Sequence, residues 1–199
     1  MEPASLDLTL PEAAPELIQF RKYAWSASAF YLYTLVPGVD LDEVAVVLQG
    51  EWLEDGDDMP ILKVAKPEAD FSGKTLADVV AAHVATDKGI KRDKKWRGRG
   101  SKGDVDVYPE AFVVVTKTDW KEDRGLLFVY VMEGVKGRGG RLDKYFFKYE
   151  DGYILLSSVW LNDETMDGAK EAFDIDGKHD LDDEEEEEEE VTTDEEDDE

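Results

Sequence analysis

Residues 111–118 read "AFVVVTKT", and similar strand-like segments recur as far as residue 161. β-Branched and aromatic residues favour strands, so this stretch predicts a strand, which the turn "DWKEDRG" follows. The next segments are "LLFVYVM" (126–132), the loop "EGVKGRGGR" (133–141), "LDKYFFKYE" (142–150), the hairpin signal "DG" and "YILLSSVWL" (153–161). The pattern therefore predicts four antiparallel strands in a meander.

The segments before the meander predict a mixture of helices and strands. Thr75 and Asp78 form a T-x-x-D capping box before an apolar face, which predicts a helix over 75–87. Residues 43–53 and 59–66 predict two strands that the acidic turn "EDGDD" joins. Segment 15–24 is typical of a helix, and "WSASAFYLYTLV" (25–36) fits either an extension of that helix or a strand.

After the meander, Asn162 or Asp163 is placed to cap a short helix with Met166, Ala169 and Phe173 on one side. Together these elements predict an α+β fold, in which an antiparallel sheet carries a few helices on one face. We expect a flexible N-terminus over 1–14, a single domain over 15–173 and a disordered acidic tail over 174–199.

The charge of the chain is unevenly distributed. The formal net charge is −26, and residues 174–199 hold 18 acidic residues and one lysine. Segment 88–103, "KGIKRDKKWRGRGSKG", holds eight Lys or Arg residues and a single acidic residue, Asp93. The chain therefore has an acidic body, one basic island and a polyanionic tail.

Composition narrows the class of protein. The chain has no cysteine, which excludes disulfides, thiolate metal sites and cysteine nucleophiles. No apolar run approaches the roughly 18 residues of a membrane span, and the N-terminus lacks the pattern of a signal peptide. We expect an intracellular protein of the nucleus or cytoplasm without a membrane partner.

Three short motifs resemble ligand-binding loops, but their context argues against that role. "GRGSKG" (98–103) matches G-x-G-x-x-G without a following helix. "SGKT" (72–75) resembles part of a phosphate-binding loop, but Glu68 stands where that loop requires its first glycine. In "DIDGKHDLDDEE", aligning Gly177 with the invariant glycine of a calcium loop places Ala172 at the first ligand position.

Catalytic groups are scarce. His83 falls at the boundary of a helix's apolar face and His179 lies in the tail, so the two do not suggest a metal centre or a base. We predict no cofactor, no metal and no catalytic residue, and an enzyme of unknown class remains the least favoured hypothesis.

The meander has a geometric consequence for the basic residues. Chain direction alternates in a meander, so loops 88–110 and 134–141 should lie at the same end of the sheet and form one positive patch. Trp96 is an aromatic residue suited to stacking within it. The candidate contacts for phosphate, nucleic acid or the tail are Lys91, Arg92, Lys94, Lys95, Trp96, Arg97, Arg99, Lys102, Arg138 and Arg141.

Two functions compete. The first is a non-enzymatic interaction protein whose tail binds basic partners, in the manner of a histone chaperone or a nucleic-acid mimic. Its candidate contacts are Glu184, Glu185, Glu186, Glu187, Glu188, Glu189 and Glu190. The second is a nucleic-acid or polyphosphate binder that uses loops 88–103 and 134–141 and is autoinhibited by the tail.

Overall fold

The five strands of the described residues form one sheet in the order β2-β1-β3-β4-β5. The computed structural model describes residues 5–12, 28–50, 52, 60–89, 107–132 and 141–177. The strands are β1 (Ala29–Thr34), β2 (Leu62–Val64), β3 (Val107–Val115), β4 (Leu126–Val131) and β5 (Leu142–Phe147). The helices are α1 (Leu41–Leu48), α2 (Leu76–Gly89), α3 (Gly152–Leu161) and α4 (Met166–Phe173), and a short 3-10 helix (Tyr149–Asp151) precedes α3.

The sheet is mixed, so the predicted purely antiparallel sheet is wrong. Strand β1 runs parallel to both β2 and β3, whereas β3, β4 and β5 pair antiparallel as predicted for the first three strands of the meander. The parallel pairs arise because helices α1 and α2 separate β1, β2 and β3 along the chain. Such crossovers return the chain to the same end of the sheet before each new strand.

The predicted fourth strand of the meander is helix α3. Leu155, Leu156 and Val159 are buried, and this spacing places them on one side of a helix. A short apolar run is compatible with either a buried strand or a buried helix, so periodicity alone does not distinguish them. Tertiary packing decides in favour of the helix, which covers one face of the sheet.

The predicted strand over 43–53 is also wrong, because a short apolar run suits a helix as well as a strand. Residues 41–48 form α1, where Asp40 Oδ1 accepts hydrogen bonds from the backbone N–H groups of Asp42 and Glu43, both at 3.1 Å. This N-cap satisfies backbone donors that would otherwise lack partners. Of the predicted strand over 59–66, only residues 62–64 form β2.

Helices cover both faces of the sheet, which corrects the prediction of helices on one face. Helices α1, α3 and α4 pack on the face that presents Phe30, Leu32 and Phe128. Helix α2 packs on the other face, against Tyr33 and Phe112. The molecule is therefore a three-layer arrangement in which both faces of β1, β3 and β4 are buried.

Helix α2 confirms the predicted capping box. The Thr75 backbone N–H donates to Asp78 Oδ2 at 2.9 Å, and the Asp78 backbone N–H donates to Thr75 Oγ1 at 3.2 Å. Helix α4 is also confirmed, but its N-cap is Thr165 rather than Asn162 or Asp163. Asn162 instead ends α3 in a left-handed conformation.

Segments outside the predicted domain core also pack against the sheet. Leu6, Leu8 and Leu10 contact the face that α2 covers, although 1–14 was expected to be a flexible terminus. Residues 174–177 follow α4, and the Ile175 backbone N–H donates to the Phe146 carbonyl at 3.0 Å. We therefore use the name acidic tail for residues 178–199. They lie outside the described residues, as does the helix predicted over 15–24.

The sheet has two ends with different roles. We call the end where the parallel strands β1, β2 and β3 begin the amino edge, and the end where they finish the carboxyl edge. Among the described helices, none is long and apolar enough to cross a membrane.

Candidate interaction surfaces at the two edges of the sheet

Both basic loops attach at the amino edge. Strand β3 begins at this edge with Val107, and the pairs Ala111–Tyr130 and Val131–Leu142 bring the end of β4 and the start of β5 to the same edge. The Met132 backbone N–H donates to the Arg141 carbonyl at 2.9 Å, and this bond joins the two ends of the loop 134–141. The strand ends that flank the two loops therefore meet as the meander predicts.

Of the ten residues predicted for the positive patch, Arg141 lies within the described residues, and it is exposed. The others lie outside the described residues: Lys91, Arg92, Lys94, Lys95, Trp96, Arg97, Arg99, Lys102 and Arg138. The same holds for the tail candidates: Glu184, Glu185, Glu186, Glu187, Glu188, Glu189 and Glu190. The structure thus places the attachment points of both loops but leaves the patch itself a prediction.

The segment that leads into the tail is held at the carboxyl edge. Arg124 lies in the turn between β3 and β4, and its Nε and one terminal nitrogen contact Asp176 Oδ1 at 3.1 and 2.7 Å. The backbone bond between Ile175 and Phe146 adds a second contact beside the last residues of β5. We call residues 174–177 the tail root.

The carboxyl edge carries an excess of negative charge. The segments at this edge are 35–43, 66–74, 116–125, 148–151 and 174–177, and together they hold twelve acidic and six basic residues. The described ion pairs Lys117–Glu122 and Lys121–Glu43 are long, at 3.4 and 3.9 Å, and solvent-exposed. The tail, with sixteen acidic residues and one lysine, therefore leaves the domain from its acidic edge.

The carboxyl edge does not offer a ready phosphate site. Ligands of open α/β sheets bind where neighbouring connections leave the sheet on opposite faces, often at a helix N-terminus. Here these are the connections from β1 to α1 and from β2 to α2. At α1 that position is taken by the carboxylate of Asp40, which already accepts the free backbone N–H groups. At "SGKT", Asp70 Oδ1 accepts bonds from both the backbone N–H and hydroxyl of Ser72, and these bonds lower the Asp70 pKa.

His83 is a fully buried core residue, not the boundary residue that the sequence predicted. Its Nδ1 lies 3.0 Å from the Tyr33 hydroxyl, and its Nε2 lies 3.2 Å from the Tyr108 carbonyl oxygen. A carbonyl oxygen only accepts, so Nε2 carries a proton, and in the neutral ring Nδ1 accepts the hydroxyl proton of Tyr33. Burial, with Tyr31 nearby, raises the pKa of Tyr33. With both ring nitrogens engaged, His83 ties α2 to β1 and β3.

A second polar cluster lies near the amino edge on the opposite face. The Tyr130 hydroxyl donates to Asp167 Oδ1 at 2.9 Å and lies 3.3 Å from Asp143 Oδ2, to which Lys170 Nζ donates at 2.9 Å. Burial raises the pKa of Tyr130, and the neighbouring carboxylates add to this effect. Burial favours the protonated form of Asp143, but hydrogen bonds from Lys170 Nζ and the Lys144 N–H outweigh it and lower the Asp143 pKa. The cluster joins α4 to β4 and β5.

Two cavities open near the carboxyl end of β2. One of about 390 Å³ lies along the outer side of β2 beside α1. The other, of about 440 Å³, lies between α2 and residues 66–68, beside Tyr33. Within the described ranges, no group of three or more His, Asp or Glu side chains is arranged to hold a metal ion.

Comparison with known proteins brings no family, curated protein or solved structure that matches this chain.

Sequence reasoning missed the tertiary contacts of Tyr33, Tyr130 and Arg124. The partners of Tyr33 and Arg124 lie 50 and 52 positions away, so local patterns carry no signal for them. One sign was available for Tyr130, because a tyrosine within an otherwise apolar strand needs a partner for its hydroxyl when it is buried.

Proposed function

We propose that this protein is a non-enzymatic interaction protein whose polyacidic tail engages basic polypeptides such as histones. The observation that carries this proposal is the position of the tail root, which is attached at the carboxyl edge, away from the edge where the basic loops attach. A polyanion attached at an acidic edge is repelled by that edge, and its long-range attraction for the cations of a partner accelerates association.

Screening adds a quantitative argument. The six-residue strand β5 separates the two edges by about 20 Å at the usual rise per residue. The Debye length at physiological ionic strength is about 8 Å. The two edges are therefore more than two Debye lengths apart, which supports a tail whose carboxylates act on a partner rather than on the basic loops.

The test compares three proteins that share the same folded part. These are the full-length chain, a truncation to 1–177, and a variant with Glu184–190 changed to Gln, which keeps the length but lowers the net charge of 178–199 from −15 to −8. Binding to a core histone and to a single-stranded DNA oligonucleotide is measured by fluorescence anisotropy at two salt concentrations.

We expect truncation to weaken histone binding at least about tenfold and the glutamine variant to weaken it by a smaller factor, with a steeper salt dependence for the full-length chain. Equal histone affinity of the full-length chain and the truncation would show that the tail is not the binding element. The truncation is made after Gly177, so that the contacts of the tail root remain.

The second candidate function is nucleic-acid binding by the basic loops, with the tail as an internal competitor. The shared attachment of both loops at the amino edge supports it. An extended chain of 22 residues spans up to about 75 Å, so the tail is long enough to span the distance to that edge. This hypothesis expects the truncation to bind DNA more tightly than the full-length chain, most of all at low salt.

A further inference from the structure

Strand β2 is an outermost strand of the sheet. Side chains bond only some of the backbone groups on its outer side. Gln49 Nε2 donates to the Leu62 carbonyl at 3.0 Å, and the Leu62 backbone N–H donates to Gln49 Oε1 at 3.1 Å. The amide of Gln49 thus stands where a peptide group of a neighbouring strand would stand. Alternate residues of a strand direct their backbone groups to the same side. The N–H and C=O of Val64 therefore also point outward, and neither has a hydrogen-bond partner among the described residues.

The cavity of about 390 Å³ lies along this edge. Its lining comes from both faces of the sheet: Ala45 and Val46 of α1 on one face, Tyr31 and Lys63 on the other. A cavity that contacts both faces of a sheet at its outermost strand occupies the position of a further strand. The geometry is that of a site for an added β-strand.

The outermost strand on the other side of the sheet, β5, contrasts with β2. On β5, the Lys144 backbone N–H donates to Asp143 Oδ1 at 2.8 Å, and the Phe146 carbonyl accepts from the Ile175 N–H. The outward groups of β5 are thus partly occupied by the chain's own neighbouring residues. Such local cover protects an edge strand from pairing with another chain.

The two sides of the open edge differ in chemistry. On the α1 side, Val46 is 58% exposed and offers an apolar surface, and Asp42 lines the cavity at the start of the helix. On the other side, Lys63 lines the cavity, and Lys66 lies just beyond the end of β2. An extended segment that alternates apolar and acidic side chains complements both sides.

We propose that residues 190–194 of the chain's own tail, Glu-Val-Thr-Thr-Asp, pair with Val64 as this added strand, antiparallel to β2. Val191, Thr192 and Thr193 are the β-branched residues of 178–199, and acidic residues flank them on both sides. With Val191 opposite Val64, the Val191 side chain meets Val46, while Glu190 and Thr192 point to the side of Lys63. The contact shares only Glu190 with the glutamate run 184–190 of the proposed function, and the triplet 191–193 carries the pairing.

The tail is long enough to make the contact. The tail root lies beside β5 at the carboxyl edge, and Val64 lies at the carboxyl end of β2, four strand spacings or about 19 Å across the sheet. Thirteen residues lead from Gly177 to Glu190. Thirteen residues of extended chain span up to about 45 Å, so pairing requires no stretching.

A spin label tests the location of the segment. The chain has no cysteine, so a Thr193→Cys variant of the full-length protein carries a single nitroxide. We expect the label to broaden the amide NMR signals of Lys63, Val64 and Val46. Broadening confined to Leu142 and Lys144 at the amino edge would overturn the proposal, since it would place the tail at the basic loops. Broadening that appears only between labelled and unlabelled molecules would overturn it in favour of a second copy.

A pair of proline variants tests the register. Proline lacks a backbone N–H, and neighbouring residues of a strand direct their N–H groups to opposite sides. Val191→Pro should therefore remove a bond to Val64 and make hydrogen exchange of the Val64 amide about threefold faster, as the truncation to 1–177 should. Thr192→Pro, with the same charge, should leave that exchange rate unchanged. Equal effects of the two prolines, or no effect of either, would overturn the pairing.

Discussion

The strand ends at the amino edge and the tail root at the carboxyl edge are held by different kinds of polar contact. Near the amino edge, the contacts are buried or half-buried: His83 with the Tyr108 carbonyl, Trp160 Nε1 with the Ser28 carbonyl at 2.7 Å, and Asp143 with Lys170. At the carboxyl edge, the ion pair of Arg124 with Asp176 is solvent-exposed. A buried polar group that loses its partner costs far more free energy than an exposed one.

This difference indicates that the two attachments are held with different stability. The strand ends that carry the basic loops are rigidly tied to the core, whereas the tail root is attached by contacts that water and salt weaken. Release of the tail root should then cost little stability, while disturbance of the loop attachments should cost much more. Substitutions at three places in the molecule measure this contrast.

The largest effect is expected at His83. His83→Ala leaves the Tyr33 hydroxyl and the Tyr108 carbonyl without this partner and opens a cavity beside Phe112, so the free energy of unfolding should fall by about 3 kcal/mol. Urea unfolding followed by circular dichroism measures the change. Ala81→Gln on the exposed side of the same helix is the control and should change stability by less than about 0.5 kcal/mol. If His83→Ala lowered the free energy of unfolding no more than Ala81→Gln, the contrast between the two attachments would be contradicted.

An intermediate, pH-dependent effect is expected at Asp143. Its pKa is lowered in the folded state, so its charged form stabilises the fold above the unfolded pKa, and this contribution disappears as the pH falls through the folded value. Asp143→Asn should reduce the free energy of unfolding by about 1 kcal/mol at pH 7, because the ion pair with Lys170 is only half-buried. The difference from wild type should shrink as the pH falls below about 4. A difference that grew towards low pH would contradict the assignment.

The smallest effect is expected at the tail root. A double-mutant cycle of Arg124→Ala and Asp176→Ala should give a coupling energy below about 1 kcal/mol, as exposed ion pairs do. In these variants, amide hydrogen exchange at Ile175 should nevertheless be faster than in the wild type. The reason is that the hydrogen bond from Ile175 to the Phe146 carbonyl relies on the neighbouring Arg124–Asp176 pair. A coupling energy above about 2 kcal/mol would show that the tail root is as firmly held as the loop attachments.

The outcome of sequence prediction follows the range of the interactions involved. The capping box of Thr75 and Asp78 spans three residues, and three strands of the meander follow one another along the chain, so local patterns reveal them. The sequence predicts strands over 43–53 and 153–161, because their valines and leucines suit either structure. Only packing against the sheet selects the helices α1 and α3. The contact between His83 and Tyr33 joins residues 50 positions apart, beyond any local signal.

The sequence by itself determined how charge is divided along the chain: an acidic tail, a basic segment at 88–103 and an acidic remainder. It also determined α2, because capping and an apolar stripe are local properties. Only the tertiary structure decided that β1 pairs parallel to its neighbours, that helices cover both faces, and that the tail root and the basic loops attach at opposite edges. The physical reason is that intrinsic preferences are worth at most about 1 kcal/mol per residue, whereas burying one large apolar side chain is worth about 2.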